Sequence, residues 1–185
     1  PSGFRVDVPD TVLPTIIQGK IFNEADGFTR IPIILTYLTG GIDPKSLPDP
    51  TDHGLTVGES SPVWLVKEKT WEKVPILIEI DMMAKKDDDR ALILRPLVLL
   101  DEKSTYVVIV RNKLKDLKGN VHVPGAAFTA LLSGTTTSDP AVEKQRESFK
   151  TVKAALAGLK LADKDVVQAW TFTTRSTADS SRFLR

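Results

Sequence analysis

The 185-residue chain contains no cysteine, which excludes disulfide bonds, thiolate metal ligands and a cysteine nucleophile. It also lacks any apolar run near the roughly 20 residues that span a bilayer. Its formal net charge of +1 leaves no excess of one sign that would favour nucleic acid as a partner. With 41% hydrophobic and 26% charged residues, the chain has the composition of an ordinary globular protein.

Residues that could carry catalysis are scarce as well. Only His53 and His122 could supply the imidazole of a Ser-His-Asp triad, and both lie in segments rich in turn residues. The Gly-x-Ser-x-Gly turn of α/β-hydrolases is absent, because its nearest approach, GESSP at 58–62, lacks the second glycine. We therefore predict no catalytic residue, no bound cofactor and no enzymatic activity for this chain.

Six segments show the apolar alternation or the β-branched runs that are typical of β-strands, and turn residues separate them. These segments are 29–39, 62–67, 71–83, 90–96, 105–111 and 169–174. Their shared two-residue period predicts a mainly β protein built as a β-sandwich. The predicted core includes Ile33, Leu35, Ile78, Leu92, Leu94, Tyr106, Val108, Val110, Trp170 and Phe172.

Two turns flank the strongest predicted strand. Tyr106 follows Leu100 across a polar turn, an arrangement similar to a tyrosine corner, in which the phenol oxygen bonds the backbone. After the strand, Asp116, Gly119 and Asn120 are the residue types that a tight turn requires, since Gly and Asn tolerate positive φ and Asp can accept from nearby amides. Both features indicate structural roles.

The hydrophobic period changes between this turn and the last strand. Asp139 and Pro140 form a typical N-cap and first-turn pair. The apolar residues that follow recur at helical spacing, which predicts an amphipathic helix of about five turns from 139 to 159. We expect this helix to pack on the sandwich through Phe149, Val152 and Leu156.

Several motifs resemble those of bacterial immunoglobulin-like domains. The segment LRPLVLLDEKSTYVVIVRNKLKDLKGN, at 94–120, is similar to the late half of such domains in secreted and surface-layer proteins. A longer resemblance is to the N-terminal domain of bacterial virulence-factor lipases and related extracellular esterases. It is carried by DGF at 26–28, IDPKSL at 42–47 and WTFTT at 170–174, and it spans about residues 26 to 176.

The resemblance implies an immunoglobulin-like β-sandwich with an inserted amphipathic helix, at about 139–161, before the last strand. It implies an N-terminal extension at 1–28 packed on a sandwich at 29–176, and a tail or linker at 177–185 toward a downstream region. Because the chain begins PSGFRVDVP, without Met or a signal segment, we expect a piece of a longer protein.

The same resemblance implies a function. The chain would be a non-catalytic accessory or structural module of a secreted or cell-surface, outer-membrane-associated bacterial protein, N-terminal to an α/β-hydrolase domain. Its partner would be the hydrolase domain of the same polypeptide or another surface protein. The alternative is a free-standing surface or adhesive module that binds protein or glycan.

Two sets of residues are candidates for ligand binding. Asp87, Asp88 and Asp89 could hold calcium, although consecutive carboxylates flanked by Lys and Arg are more typical of a solvated hairpin tip. Trp71 lies among charged residues at a predicted strand junction, so its indole could be exposed and contact a sugar ring. Trp170 alternates with Phe172, which indicates a core position instead.

Overall fold

The computed structural model describes residues 6, 8 and 18–180. Within this part of the chain the structure is mainly β and has seven strands and five α-helices. The strands are β1 (Ile34–Thr36), β2 (Val63–Lys67), β3 (Lys73–Val74), β4 (Ile76–Ile80), β5 (Leu92–Pro96), β6 (Thr105–Arg111) and β7 (Val166–Thr173). The helices are α1 (Lys20–Asn23), α2 (Ala126–Ser133), α3 (Pro140–Lys144), α4 (Arg146–Gly158) and α5 (Thr177–Ser180).

The strands form two antiparallel sheets. One sheet has the strand order β1-β5-β4, and the other has the order β3-β2-β6-β7. One cluster of buried side chains contains residues from both sheets, among them Ile78 and Leu94 from the first and Leu65 and Val108 from the second. The predicted β-sandwich arrangement is therefore confirmed at the level of two antiparallel sheets that share a hydrophobic core.

Strand β6 lies inside the four-stranded sheet, between β2 and β7. Its side chains are almost fully buried on both faces, which explains its uninterrupted apolar run. At its start, the Tyr106 hydroxyl accepts a hydrogen bond from the Asp101 amide at 2.9 Å. The ring of Tyr106 stacks on Phe172, with 5.8 Å between ring centroids. The predicted bond from this phenol to the backbone is confirmed.

A helical layer covers the outer face of the four-stranded sheet. Phe149, Val152 and Leu156 of α4 are buried in a second cluster that also contains Trp64 and Ile109 of the sheet. The predicted packing of this helix through those three residues is confirmed. Helix α2 contributes to the same cluster through Phe128 and Leu131, and the sequence pattern did not indicate this helix.

The prediction of one continuous helix at 139–159 is wrong, because this segment forms two helices. Asp139 does cap the first part, because its carboxylate accepts from the Ala141 amide at 2.8 Å. The chain then divides at Gln145 into α3 and α4. The Gln145 amide bonds the carbonyl of Val142, three residues back, so the last turn of α3 tightens before α4 begins.

The predicted first strand and two of its core residues are also wrong. Only Ile34–Thr36 is a strand, and Ile33 and Leu35 are 59% and 60% exposed. The buried residue is Ile34, which pairs with Leu94. A shift of one residue moves every side chain of a strand to the opposite face, and this segment is apolar on both. Its pattern could not determine which face is buried.

The remaining predicted core residues lie in the sandwich. Ile78, Leu92, Leu94, Tyr106, Val108 and Val110 are buried as predicted. Trp170 and Phe172 are half-buried and pack against the same cluster.

The described end segments contact each other. Phe28 forms a parallel bridge with Thr174, and the carboxylate of Asp26 accepts from the Ser176 amide at 2.9 Å. Val6, in the predicted extension at 1–28, is buried, and its amide donates to Ala25. Of the predicted tail at 177–185, residues 177–180 form α5, and 181–185 lie outside the described residues.

Candidate functional site

The loop at 58–62 is held by bonds to its backbone. Trp64 Nε1 donates to the Gly58 carbonyl at 3.0 Å, and Arg111 donates to the carbonyls of Glu59 and Ser61 at 2.7 and 3.1 Å. Ser61 is buried, and its hydroxyl donates to the Val63 carbonyl at 2.6 Å. These contacts assign the loop a structural role, since they use its carbonyl groups and the hydroxyl of Ser61, whereas Ser60, the serine at the motif position, is exposed.

The basic residues around this loop form one charged cluster with Trp64. The Lys73 Nζ lies 3.5 Å from the Trp64 ring centroid and also bonds the Glu59 carboxylate at 2.8 Å. The hydrogen bond from Lys73 lowers the pKa of Glu59. Burial lowers the pKa of Arg111, whose guanidinium carbon lies 3.9 Å from the same ring centroid. Cation–π contact and ion pairing thus anchor the loop to the sheet.

The two histidines lie in different environments. His53 is exposed at the start of a short 3-10 helix, His53–Thr56. His122 is buried in the segment between β6 and α2, and its Nε2 has no hydrogen-bond partner among the described residues. In the described part of the chain, no hydrogen bond joins either imidazole to a serine, so no triad geometry is present there.

The three consecutive aspartates form an exposed 3-10 turn, Asp87–Asp89. Asp87 pairs with Arg90 at 2.9 Å, and the backbone carbonyl of Asp88 accepts from the Tyr37 hydroxyl. No group of three or more acidic, histidine or cysteine side chains is placed to hold a metal ion within the described residues. The turn is therefore tied to its neighbours by pairing and backbone contacts rather than by a convergent set of carboxylates.

Trp71 is half-buried and packs against the helical layer, contrary to the expectation of an exposed indole. It has a left-handed backbone with φ of +54° in the turn between β2 and β3. Its ring lies so close to α4 that a Cβ added at Gly158 would come within 2.3 Å of Nε1. Sequence reasoning missed this contact because the glycine that permits it is 87 positions away along the chain.

The exposed side of the three-stranded sheet carries apolar residues, and we call it the bare face. In register across this side lie Leu35, Ile93 and Glu79. The segment at 97–99 continues the face and is held beside β1, because Arg30 and Leu100 exchange hydrogen bonds. Its exposed apolar residues are Ile31, Ile33, Leu35, Leu97, Val98 and Leu99, with between 40% and 66% of each residue accessible.

A second surface feature is a groove of about 720 Å³ between the four-stranded sheet and the helices, which we call the lysine groove. Four lysines line it, Lys67, Lys69, Lys103 and Lys144, together with six serine and threonine residues. Lys67 pairs with Asp101 at 2.5 Å, which raises the pKa of Lys67 and lowers that of Asp101. The groove combines positive charge with hydroxyl groups, which is chemistry suited to anionic polar ligands.

A third feature is a cavity of about 460 Å³ beside His122. It lies among the segment after β1, the turn at 116–123, the first turn of α2 and the start of β7. Phe128 and Tyr37 contribute aromatic walls, and His122, Asp116 and Gln168 contribute polar groups. No sequence pattern indicates this cavity, because it is formed by four segments that are distant along the chain.

No α-helix in the described part of the chain has the length and apolar character needed to cross a bilayer. No protein-family model matches the chain. No curated protein shows significant similarity to it either.

Proposed function

We propose that this chain is a non-catalytic immunoglobulin-like accessory module of a secreted or cell-surface bacterial protein, placed N-terminal to an α/β-hydrolase domain. The observation that carries the proposal is the bare face. A large exposed apolar patch is uncommon on a monomeric protein, and it marks an interaction surface. The resemblance of the motifs at 26–28, 42–47 and 170–174 supplies the identity of the partner as the hydrolase domain.

The geometry of the bare face suits a domain–domain contact. Leu35 projects from a sheet whose other face is packed in the core, and the other five residues lie in the segments directly before β1 and directly after β5. The ion pair between Arg95 and Glu79, at 2.9 Å, provides polar groups beside the apolar residues. An apolar centre with polar groups at its margin is typical of protein interfaces.

Binding in trans tests this proposal. The purified chain is titrated with the separately purified hydrolase domain, and binding is measured by calorimetry. We expect a Leu35→Lys, Leu99→Lys double variant to bind at least roughly tenfold more weakly, because each lysine places a charge in the apolar contact. Met83→Lys is the matched control, since Met83 is 90% exposed at the β4–β5 connection.

Two results count against the proposal. One is unchanged affinity in the double variant, which would place the contact elsewhere on the chain. The other is a complete gene product without a downstream Gly-x-Ser-x-Gly turn, which would favour the free-standing module.

The non-catalytic part of the proposal has its own assay. We expect the purified chain to show no turnover of short-chain or long-chain nitrophenyl esters above background. Within the described residues, no hydrogen bond joins His53 or His122 to a serine, and the two imidazoles lie in different environments, which supports this expectation. Turnover that disappears in a His53→Ala or His122→Ala variant would overturn it.

The lysine groove favours a second candidate, a surface or adhesive module that binds an anionic glycan. Lys69 and Lys103 are exposed in this groove, and both have a left-handed backbone, with φ of +74° and +49°. Sulfate or carboxylate groups of a glycan could pair with these lysines while the sugar hydroxyls bond the serines and threonines. Glu68 and Glu147 also line the groove, so it favours sparsely charged chains.

A glycan-binding assay separates the two candidates. We expect a Lys69→Gln, Lys103→Gln double variant to lose binding to immobilised hyaluronan, which carries one carboxylate per disaccharide, whereas Lys118→Gln, at an exposed turn elsewhere, retains it. Binding that is equally strong in the double variant would exclude the lysine groove as the site.

A further inference from the structure

We propose that two copies of this chain associate by pairing their β1 strands edge to edge. The two strands run antiparallel about a twofold axis at Leu35, so that two three-stranded sheets join into one sheet of six strands. This contact uses main-chain groups in the plane of the sheet, whereas the proposed hydrolase contact uses side chains that project from the bare face. The inference therefore goes beyond the accessory function and concerns a different partner.

The hydrogen bonds between β4 and β5 fix the direction of the main-chain groups in this sheet. The Asp81 amide donates to the Ala91 carbonyl, and the Leu97 amide donates to the Pro75 carbonyl. The amide and carbonyl of one residue point to the same side of a strand, and successive residues alternate. Odd-numbered residues along β5 therefore bond β4, and even-numbered residues point toward β1.

The same alternation places the main-chain groups of β1. Leu94 pairs with Ile34, and Leu92 pairs with Thr36, so the even-numbered residues of β1 bond β5. The amide and carbonyl of Leu35 consequently point away from β5. They lie at the free edge of the three-stranded sheet.

The edge-facing groups of this segment are unpaired and accessible. Within the described residues, no hydrogen bond reaches the main-chain groups of Ile33, Leu35 or Tyr37, and these residues are 59%, 60% and 51% exposed. From Ile31 to Leu38, exposed residues alternate with buried or half-buried ones, which is the period of an extended strand. The free edge is thus about eight residues long.

The other sheet edges are short or partly covered, as is usual in natural β proteins. Phe28 forms a bridge with Thr174 at the end of β7, and the Ile76 amide of β4 donates to Thr56 Oγ1 at 3.2 Å. Strand β3 has only two residues. Pro32 does not protect β1, because an even-numbered position faces β5 rather than the free edge. In the described part of the chain, β1 is therefore the edge most open to another strand.

The segment is complementary to a second copy of itself. It has no charged residue from 31 to 42, so two copies can lie side by side without like charges opposite each other. Uncharged, β-branched and aromatic runs without proline, such as IILTYL at 33–38, are typical of segments that pair with identical strands.

A twofold axis at Leu35 also matches the side chains and the free main-chain groups. Ile33 of each copy lies opposite Tyr37 of the other, which is a stabilising pair of a β-branched and an aromatic residue. Leu35 lies opposite its own counterpart. Each edge-facing residue thus meets another edge-facing residue, and each such pair can exchange two hydrogen bonds. The two bare faces would lie next to each other on one side of the joined sheet.

Sedimentation equilibrium and NMR of the purified chain test the pairing at concentrations from about 10 µM to about 1 mM. We expect the average mass to rise toward that of two chains over this range, because an edge contact is small and the dimer therefore weak. The amides of Ile33, Leu35 and Tyr37 should gain protection from hydrogen exchange as the concentration rises. Those of Ile34 and Thr36, which already bond β5, should not change.

The register has its own measurement. In a sample that mixes labelled and unlabelled chains, we expect an intermolecular NOE between the Hα atoms of Ile34 and Thr36. These residues would form a pair without hydrogen bonds, in which the Cα atoms lie only about 4.5 Å apart.

Two variants at the axis separate main-chain pairing from side-chain contact. Leu35→Pro removes the amide hydrogen at the free edge and leaves the bonds to β5, whereas the matched control Leu35→Ala shortens the side chain and keeps the amide. We expect the proline variant to dimerise at least roughly tenfold more weakly than the alanine variant. If the proline variant does not fold, the exchange pattern of the wild-type chain decides.

Three results would overturn the proposal. They are a chain that stays monomeric at about 1 mM, equal dimerisation of the proline and alanine variants, and a dimer that leaves the Ile33, Leu35 and Tyr37 amides unprotected. The last result would place the contact on the bare face or elsewhere. None of these measurements involves the hydrolase domain, so failure of the pairing is distinguishable from failure of the accessory function.

Discussion

The outer face of the four-stranded sheet lies beneath α2 and α4, whereas the outer face of the three-stranded sheet is exposed. In the four-stranded sheet, the outward residues are large and apolar, such as Trp64, Val107 and Ile109. On the outer face of the three-stranded sheet, Leu35 lies beside Ile93, which in turn lies beside the charged Glu79. Both outer faces thus contain apolar side chains, but within the described residues the helices cover only one of them.

This difference indicates how each face contributes to stability. Apolar residues under the helical layer contribute through burial within the chain, at roughly 25 cal/mol for each Å² removed from water. Those on the bare face contribute little until a partner covers them. Substitutions on the two faces should therefore separate stability from binding.

The largest expected effect is at the covered face. Phe149 is 5% exposed and contacts Phe128 edge to face, with 5.6 Å between ring centroids. We expect Phe149→Ala to lower the free energy of unfolding by about 3–5 kcal/mol, because it leaves a cavity between α4 and the sheet. Denaturant melts measure this change. A loss below about 1 kcal/mol would show that the helical layer is peripheral to the fold.

A smaller effect is expected where the two sheets meet. Tyr106→Phe keeps the ring that stacks on Phe172 but removes the oxygen that accepts from the Asp101 amide. We expect a cost of about 1–3 kcal/mol, since a partly buried amide loses its partner. The control is Tyr37→Phe, which also removes a hydroxyl bonded to a backbone carbonyl, but at a residue that is 51% exposed. Equal costs in denaturant melts of the two variants would show that the Asp101 bond has no special role.

The helical layer should also respond to pH through Glu143. Its carboxylate accepts from Arg146 and from the Thr137 amide, and these bonds lower its pKa from 4.5 to about 2, with Arg146 as the largest cause. A depressed pKa stabilises the fold above about pH 4.5, and this contribution is lost as the pH falls toward 2.

Glu143→Gln should therefore be less stable than the wild type at neutral pH, and the difference should shrink below about pH 4.5 and be lost as the pH falls through about 2. Urea melts across this pH range measure it. Glu147→Gln is the matched control, because Glu147 pairs with Lys150 one turn later at the fully exposed surface. A difference that does not change with pH would exclude Glu143 as the group that titrates.

The smallest effect on stability is expected on the bare face. Leu35 is 60% exposed, so Leu35→Thr should change the free energy of unfolding by no more than about 0.5 kcal/mol. Ile34→Thr, at the buried neighbour, should cost several times more. Comparable costs for the two variants in denaturant melts would mean that β1 buries both of its faces.

The sequence allowed the strands to be predicted where the pattern had a single interpretation. Ile76, Ile78 and Ile80 alternate with partly exposed residues, and all three are buried. The segment around β1 is apolar on both sides, so its period could not distinguish Ile34 from Leu35. The pairing with Leu94 determines the inward face, and that contact is 60 residues away along the chain.

The candidate sites depended still more on distant contacts. The interpretation of His122 as a turn residue missed its burial, because the side chain lies against segments that begin near residues 37 and 167. Trp71 lies among charged neighbours in the sequence, yet Gly158 provides the space for its ring. A residue's local sequence sets its conformation, but the surroundings of a side chain depend on tertiary packing.

The joined end segments determine how the fold would respond to mechanical load. Phe28 donates to the Thr173 carbonyl and accepts from the Arg175 amide, both at 2.8 Å, and Gly27 lies so close to this strand end that an added Cβ would come within 2.6 Å of the Arg175 nitrogen. Tension applied between residues 26 and 176 would load these few hydrogen bonds before it reached either sheet. These hydrogen bonds between the two end segments would break first, while the sandwich remains folded.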